Sequence, residues 1–346
     1  MTGSCLTFIP ALKSNNRGKS MDREKMISWT VEGEEGKDLR LDQEATRYLG
    51  DFSRSRISKA IKNGAITVNG DQSKSSSPVK KGDRIQADLS ALKIPPIRPE
   101  QVPLDILYQD EDLLVINKPA GMIVHPTLTV REGTLVNALL GMGIPLSQVN
   151  GPLRPGIVHR LDAQTSGAIM IAKNDSSHHK LADDLQLRMV QKTYLAICQG
   201  KWDVNHMRIA LPIGRSPSQP QKREVILEGG KEAITIANTL SIGEEASLIA
   251  FQILTGRTHQ IRVHARAMKH PVVGDRLYGY KKERHPTAHQ LLHSFYLCFC
   301  HPRTGKKLQF FAPWDQEFER MAKIYALELP KIGDFSFIEQ SQRKDE

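Results

Sequence analysis

The chain has few of the residues that mark disulfide-rich, redox or membrane proteins. It carries 4 cysteines in 346 residues, and none are spaced as CxxC, so neither a zinc ribbon nor a redox pair is indicated. Cys298 and Cys300 alternate within an apolar run, which predicts buried free thiols on one face of a strand. No apolar stretch reaches the roughly 18 residues that cross a bilayer, and the segment from Leu6 to Leu12 is too short for a signal peptide. We therefore expect a cytoplasmic protein in a reducing compartment.

Acidic residues are outnumbered by basic ones. The 48 lysines and arginines against 38 aspartates and glutamates give a net charge of +10. An excess of this sign favours a polyanionic partner, because bound lysine and arginine release the counterions that phosphates condense. Many basic proteins bind no nucleic acid, so composition alone leaves the partner open.

Composition divides the chain into segments. We expect disordered tails at residues 1–27 and 331–346 and a compact, basic unit at 38–90. The proline-rich stretch 91–103 predicts an extended, semi-rigid linker. Residues 104–330 then form one large domain.

The small unit has a basic helix followed by a hairpin. Ser53 or Ser55 can cap a helix that ends near Asn63, and Asn69-Gly70 predicts a tight turn between two strands. Four basic side chains and no acidic one fall within 54–62: Arg54, Arg56, Lys59 and Lys62. Such a run is either a solvated face or a surface that binds phosphates.

A resemblance favours the second interpretation. Arg40-Leu41-Asp42, Ser53-Arg54-Ser55-Arg56, Gly64, Val68-Asn69-Gly70 and Lys81-Gly82-Asp83 follow one another with the order and spacing of an S4 RNA-binding domain. The unit therefore resembles an α+β S4 domain, and the resemblance implies that the four basic side chains contact RNA. The first helix departs from the pattern, because its start, Gln43-Glu44-Ala45-Thr46, is unusually polar.

The large domain is rich in short β-branched runs. Strands are predicted near Leu113–Asn117, Gly167–Ala172, Thr193–Gln199, Ala233–Leu240, Ser247–Leu254 and Gln309–Phe311, with helices near 176–190 and 257–268. There is no regular βαβ alternation. The pattern predicts an α+β fold around a mixed, largely antiparallel sheet.

The stretch from Gly156 to Gly167 places an acid, Asp162, in a turn between two apolar segments. Small and hydroxylic residues follow, which can bond the backbone of the loop. By residue type alone, an aspartate that caps the turn is the commoner case.

The surrounding motif is more specific. His159-Arg160-Leu161-Asp162, followed after two residues by Thr165-Ser166-Gly167, resembles the active-site signature of RluA/RluD-type pseudouridine synthases. Matching blocks run through the large domain, including Asn117-Lys118-Pro119-Ala120-Gly121, Pro212-Ile213-Gly214-Arg215, Gly230-Lys231-Glu232-Ala233 and Gly256–His264. The resemblance implies the pseudouridine synthase fold and a nucleophilic role for Asp162.

The same resemblance assigns further site residues. Tyr194 matches the family's active-site tyrosine, and Arg262 would pair with Asp162 and keep it ionised. Ile261 would form an apolar wall for the base, and Arg160, with His159 and Leu161, would contact the substrate. A half-buried strand tyrosine and a helix face that touches phosphates are the ordinary alternatives for Tyr194 and the 257–266 region.

The resemblance implies an isomerase of 23S rRNA that acts on flipped-out uridines, with the helix 69 stem-loop as the substrate of the branch it matches best. Other rRNA uridines, a tRNA substrate and a non-catalytic ribosome-assembly factor remain alternatives. We expect RNA as partner, a monomer, no membrane contact and no cofactor. His285, His289 and His293 recur every four residues like a helical metal face, but no acid joins them, and we expect no metal.

Overall fold

The computed structural model describes residues 26–32, 39–50, 52–93, 95–127, 129–280 and 284–333. The chain divides into two compact units at Pro95 and Pro96. The predicted tails at residues 1–25 and 334–346 lie outside the described residues.

The small unit combines three short helices with two sheets. Its elements are β1 (Met26–Thr30), β2 (Leu39–Arg40), α1 (Leu41–Leu49), α2 (Arg54–Lys62), β3 (Ile66–Val68), β4 (Asp71–Gln72), β5 (Pro78–Val79), β6 (Arg84–Asp88) and α3 (Leu89–Leu92). The larger sheet has the order β1-β6-β3-β4, and β2 pairs with β5. The predicted helix and hairpin are both present.

The hairpin turn and the second helix follow from their sequences. Asn69 and Gly70 both have positive φ, 53° and 91°, as a two-residue turn with right-handed strand twist requires. Along α2, Ile57, Ala60 and Ile61 are buried in the core of the unit and leave the basic side chains on the outer side.

Two expectations for the small unit need correction. The predicted tail 1–27 extends too far, since β1 begins at Met26 and pairs with β6. Trp29 of this strand is buried and stacks on Tyr48, with ring centroids 4.2 Å apart. The polar start of α1 does not weaken its packing, because Leu41 and Ala45 still face the core. Apolar residues four positions apart are therefore enough to pack this helix on the core, although the residues between them are polar.

The large unit is built on one nine-stranded sheet. Its strands and helices are β7 (Asp105–Gln109), β8 (Leu113–Lys118), α4 (Leu135–Gly141), β9 (Ser166–Ala172), α5 (Asp175–Gln186), β10 (Gln191–Gln199), β11 (His206–Ile209), β12 (Ile213–Arg215), β13 (Arg223–Val225), β14 (Thr235–Ile242), β15 (Ala246–Ile253), α6 (Gln260–Ala267), β16 (Leu292–Cys300), β17 (Lys307–Phe311) and α7 (Gln316–Ile324). The order is β11-β14-β15-β10-β16-β9-β8-β7, with β17 also paired to β16 and with β12–β13 as a separate hairpin. The predicted α+β class is confirmed.

The sheet is antiparallel except where β9 meets β16. These two strands run parallel, with Ser166 beside His293 and Gly167 beside Ser294. A Cβ at Gly167 would lie 2.3 Å from the backbone oxygen of Ser294, so only glycine fits this contact. The loop that ends at Gly167 is thereby held at the centre of the sheet.

The proline-rich linker differs from an extended spacer. Its first residues belong to α3, where Leu92 is buried in the small unit. Further along, the buried side chain of Asn137 donates to the carbonyl of Arg98 at 2.8 Å, and Glu100 accepts from the N–H of Gly133 at 3.0 Å. Residues 98–101 are therefore fixed to the large unit beside α4.

The prediction that Cys298 and Cys300 are both buried is correct for the first and wrong for the second. Cys298 is buried, but Cys300 is exposed, because it is the last residue of β16 and the strand leaves the core there. Among the described residues, no helix is long and apolar enough to cross a membrane.

Candidate active site

The Asp162 loop is anchored by the hydroxylic residues that follow it. The N–H of Thr165 donates to the carbonyl of Asp162 at 3.1 Å and closes a turn. The hydroxyl of Thr165 accepts from the Gln290 side chain at 2.7 Å, and that of Ser166 lies 2.8 Å from His293 Nδ1. These side chains bond to the neighbouring segment 290–293 rather than to the loop itself, so His293 is a structural residue.

Asp162, Arg262 and Asp275 form a line of alternating charge. Arg262 Nη1 donates to Asp162 Oδ2 at 2.8 Å, while its Nε and Nη2 donate to Asp275 at 2.7 and 2.9 Å. Burial opposes the guanidinium charge, but the hydrogen bonds and charges of the two carboxylates raise the pKa of Arg262 above its ordinary value. Arg262 is therefore a permanent cation with one face committed to Asp275 and one nitrogen directed at Asp162.

The helix that carries Arg262 is fixed by its own polar residues. Gln260 is buried; its Oε1 accepts from Thr255 at 2.8 Å, and its Nε2 donates to the carbonyl of Ile234 at 2.9 Å. His264 lies one turn later, with Nδ1 2.9 Å from Thr235 Oγ1 and Nε2 2.9 Å from a carbonyl oxygen. These side chains bind α6 to the start of β14 and to the segment that follows β15, so Arg262 has little freedom to move.

A buried lysine supports the loop from the other side. Lys118 is fully buried at the end of β8, and its ammonium donates to the carbonyls of Pro119, Met122 and Ala163 at 2.7, 2.9 and 3.1 Å. Burial lowers the pKa of Lys118 to about 7, and the charge of Asp162 opposes that shift. Three carbonyl acceptors use all three ammonium protons, so Lys118 joins the Asp162 loop to the preceding one. Its motif carries the family resemblance, but nothing in it indicates this role.

A cleft of about 300 Å³ with both polar and apolar walls opens beside Asp162. Tyr194, Leu161 and Ile261 line it and are at least nine-tenths buried. Burial raises the pKa of the Tyr194 phenol, so the hydroxyl stays protonated. Lys192 also lines the cleft, and burial lowers its pKa to about 8. The structure therefore brings Tyr194, Leu161 and Ile261 together with Asp162, as predicted, and adds Lys192.

Arg160 and His159 have different surroundings. Arg160 is exposed at the rim, with no hydrogen bond or ion pair to another residue of the described ranges. His159 Nε2 accepts the N–H of Met170 at 3.0 Å, and burial lowers the pKa of the ring to about 3. His159 is thus a neutral ring whose Nε2 is bonded to β9, which leaves Arg160 as the freer candidate for substrate contact.

Comparison with known proteins identifies the family. Residues 112–267 match the RNA pseudouridylate synthase family and residues 39–85 the S4 domain. An uncharacterized RNA pseudouridine synthase of Aquifex aeolicus is 40% identical over 83% of this chain and 92% of its own length.

The chain belongs to the RNA pseudouridine synthase family. A relative in Neisseria meningitidis serogroup A, ribosomal large subunit pseudouridine synthase D, is 37% identical over 88% of this chain and 83% of its own. The solved structure of human RNA pseudouridylate synthase domain containing 1 aligns with a TM-score of 0.52 at 25% identity, covering 67% of this chain and 98% of that one. The chain is therefore a pseudouridine synthase, an isomerase that acts on RNA, with an S4 domain.

The four basic residues predicted to bind RNA in the S4 domain differ in how many contacts their side chains make within the protein. Lys59 and Lys62 are exposed and line a groove together with Lys74, which the sequence reasoning had not selected. Arg54 donates through Nε and Nη2 to Asp42 at 3.0 and 2.9 Å, and Arg56 lies over the Phe52 ring at 5.6 Å. The two lysines are therefore the freest of the four to meet phosphates.

The histidine triplet does not form a metal face. His293 lies on β16, while His289 precedes that strand and donates from Nε2 to Asp315 at 2.9 Å. One other group, Asp110, Asp112 and His301, has atoms close enough to share an ion. Its carboxylates already accept from His301 at 2.7 Å and from Arg303 at 2.6 Å, so the cluster is satisfied as an ion-pair network.

Proposed function

We propose that this pseudouridine synthase modifies uridines of large-subunit ribosomal RNA and that Asp162 is its nucleophile. The observation that carries the proposal is the state of the Asp162 carboxylate. Arg262 occupies Oδ2 at 2.8 Å, whereas Oδ1 has no hydrogen-bond partner among the described residues. The side chain is 18% exposed and lines the cleft. One oxygen is held and the other is free to react.

The chemistry fits such a carboxylate. If Oδ1 attacks C1′, an ester bond forms as the N1–C1′ bond breaks, and uracil leaves with the electron pair. After the base turns, C5 bonds to C1′, Asp162 is released, C5 loses its proton and N1 gains one. A glycal intermediate and addition to C6 of uracil are alternative routes for the same carboxylate.

The cleft walls suit the detached base. Tyr194 provides an aromatic face for stacking, and Ile261 and Leu161 provide apolar contact. Since burial raises its pKa, the Tyr194 hydroxyl stays protonated at neutral pH, so it can donate a hydrogen bond to the base but is not ionised to act as a base itself. The target uridine must leave the RNA stack to reach Asp162, and the exposed Arg160 at the rim can fill the vacated space.

The substrate assignment rests on the relatives and on the S4 domain. The Neisseria meningitidis and Zymomonas mobilis relatives carry the name ribosomal large subunit pseudouridine synthase D, at 37% and 35% identity. We extend that substrate to this chain and propose the helix 69 stem-loop as its target. A purely binding role would leave unexplained why the chain buries Arg262 between two carboxylates, an arrangement that costs desolvation.

The test is chemical mapping of pseudouridine in ribosomal RNA from cells without this gene, complemented with wild-type protein or Asp162→Asn. We expect wild type alone to restore modification at helix 69, while Asp162→Asn still binds the RNA. Restoration at other uridines would reject the helix 69 target, and pseudouridine formed by Asp162→Asn would reject the nucleophile.

A further inference from the structure

Among the described residues, His259 is the histidine that lies within 4 Å of the Asp162 carboxylate, and the proposed chemistry gives it no role. It precedes α6 in the left-handed conformation, with φ 60° and ψ 19°. Only a few per cent of residues other than glycine adopt this conformation, although histidine does so more often than most, and such conformations are concentrated at functional sites. The ring lies between Asp162 and Tyr278: Nε2 is 3.8 Å from Asp162 Oδ2, and Nδ1 is 2.8 Å from the Tyr278 hydroxyl.

The Tyr278 hydroxyl determines which ring nitrogen carries the proton. Its oxygen accepts the backbone N–H of Arg223 at 2.8 Å. A phenol oxygen can accept two hydrogen bonds and donate one, so the contact to His259 Nδ1 fits either direction by distance alone. Among the described residues no other acceptor lies within reach of the phenol proton, so donation to His259 Nδ1 is the arrangement that satisfies it. A neutral imidazole has one donor and one acceptor nitrogen, so Nδ1 accepts and Nε2 carries the hydrogen.

The surroundings keep the ring neutral and near Asp162. Burial lowers the pKa of His259, and the charges of Arg262 and Arg223 act in the same direction, while Asp162 and Asp275 oppose them. The ring packs edge-on against Tyr278, and the Arg262 guanidinium lies over the same tyrosine ring at 5.0 Å from its centroid. His259 and Arg262 therefore approach the same carboxylate oxygen from one rigid wall.

We propose that Tyr278 fixes His259 as the Nε2–H tautomer and that this N–H, together with Arg262, holds Asp162 Oδ2 so that Oδ1 faces the sugar. His259 is then a positioning residue, and the inference rests on the proposed nucleophilic role of Asp162. The two atoms are 3.8 Å apart, so this hydrogen bond requires them to approach by roughly 0.8 Å when the substrate binds. The same tautomer makes His259 unfit as the base that removes the C5 proton, since its exposed nitrogen already bears hydrogen.

The tautomer can be read without measuring activity. In protein labelled with ¹⁵N at histidine, the His259 signals are assigned by their loss in His259→Asn. We expect the chemical shifts of a protonated Nε2 and an unprotonated Nδ1, and a shift toward a tautomer mixture in Tyr278→Phe. A protonated Nδ1 in the neutral wild-type ring would overturn the proposal.

Two substitutions at His259 distinguish the effect of losing its Nε2–H from the effect of disturbing its left-handed backbone. Asn tolerates the left-handed conformation and keeps an acceptor for Tyr278, but it has no group at the Nε2 position. We expect His259→Asn to lower kcat roughly tenfold, the loss of one charge-assisted hydrogen bond, with KM unchanged. His259→Gln places an amide N–H near the Nε2 position and should recover part of that loss despite its less favourable backbone.

A double-mutant cycle tests the link to Tyr278. Tyr278→Phe should lower kcat in the wild-type background and have no further effect in His259→Asn, because the hydroxyl acts through the ring. Independent effects would overturn the link, and a His259→Gln variant as poor as His259→Asn would overturn the N–H role. If the wild type makes no pseudouridine, or Asp162→Asn keeps activity, the proposed function fails instead.

Discussion

Arg262 in the large unit and the cations of α2 in the small unit are both basic side chains on helices, but their environments are opposite. Arg262 is 8% exposed and donates to two carboxylates, whereas Lys59 and Lys62 are exposed and without ion pairs among the described residues. A buried charge must be matched by fixed partners, so it holds a defined geometry that salt barely screens. An exposed charge is free to exchange its counterions for phosphates, so it contributes affinity that depends on salt. We therefore expect the same residue chemistry to position atoms in one unit and to attract RNA in the other.

Of the substitutions that test this comparison, we expect the largest effect at Asp275, the fully buried partner of Arg262. Asp275→Asn leaves the buried Arg262 with a weaker partner, so we expect roughly a hundredfold loss of kcat and a fall of about 3 kcal/mol in the free energy of unfolding. Pseudouridine formation and chemical denaturation measure the two effects.

Asp112 provides the matched control for Asp275. It is a buried carboxylate paired with Arg303 at 2.6 Å, and it does not line the cleft. Asp112→Asn should lower stability without lowering kcat. If Asp275→Asn loses stability but keeps its rate, the buried pair has no part in positioning Asp162.

A smaller effect is expected from the exposed cations. Replacing Lys59 and Lys62 with Gln should weaken RNA binding about tenfold at low salt and reduce the slope of log K against log salt by roughly one per lysine. Stability should hardly change, because neither ammonium is buried. Affinities measured over a salt series give the slope.

Arg54→Gln sharpens this comparison, because its Nε and Nη2 already donate to Asp42. We expect it to leave the salt slope unchanged and to cost less than about 1 kcal/mol of stability. A slope that falls as far as it does for one lysine would show that Arg54 binds phosphate despite its pair, and the contrast between paired and free cations would fail in this unit.

The smallest effect is expected at Lys192, which combines both environments: it lines the cleft beside Asp162, and it has no ion-pair partner among the described residues. Its pKa of about 8 means that the ammonium is present below that pH and is lost as pH rises through it. RNA binding should therefore weaken a few-fold between one unit below and one unit above this value.

Two variants isolate the lysine in that measurement. Lys192→Arg stays charged and should bind equally at both pH values, while Lys192→Met should bind at both as weakly as the wild type does at the higher pH. A wild-type pH dependence that persists in Lys192→Met would assign the titration to another group.

Local sequence was enough to predict much of the fold. The Asn69-Gly70 turn, the apolar stripe of α2 and the β-branched strands on either side of Asp162 each result from interactions between near neighbours. The expectations that needed correction depended on distant packing. Residues 98–101 are fixed by Asn137, and Cys300 is exposed because β16 ends there. Neither is visible in the residues themselves.

The sequence by itself determined the family and the S4 domain, because both are carried by short motifs, and the resemblance in those motifs implied that Asp162, Tyr194 and Arg262 share one site. Tertiary structure alone decided which charges pair. Asp162 and Arg262 are 100 positions apart, and Asp275, Lys118 and His259 join them only when the strands and α6 are packed. Hydrogen bonds between side chains depend on distances of a few tenths of an ångström, and spacing along a chain cannot set those distances.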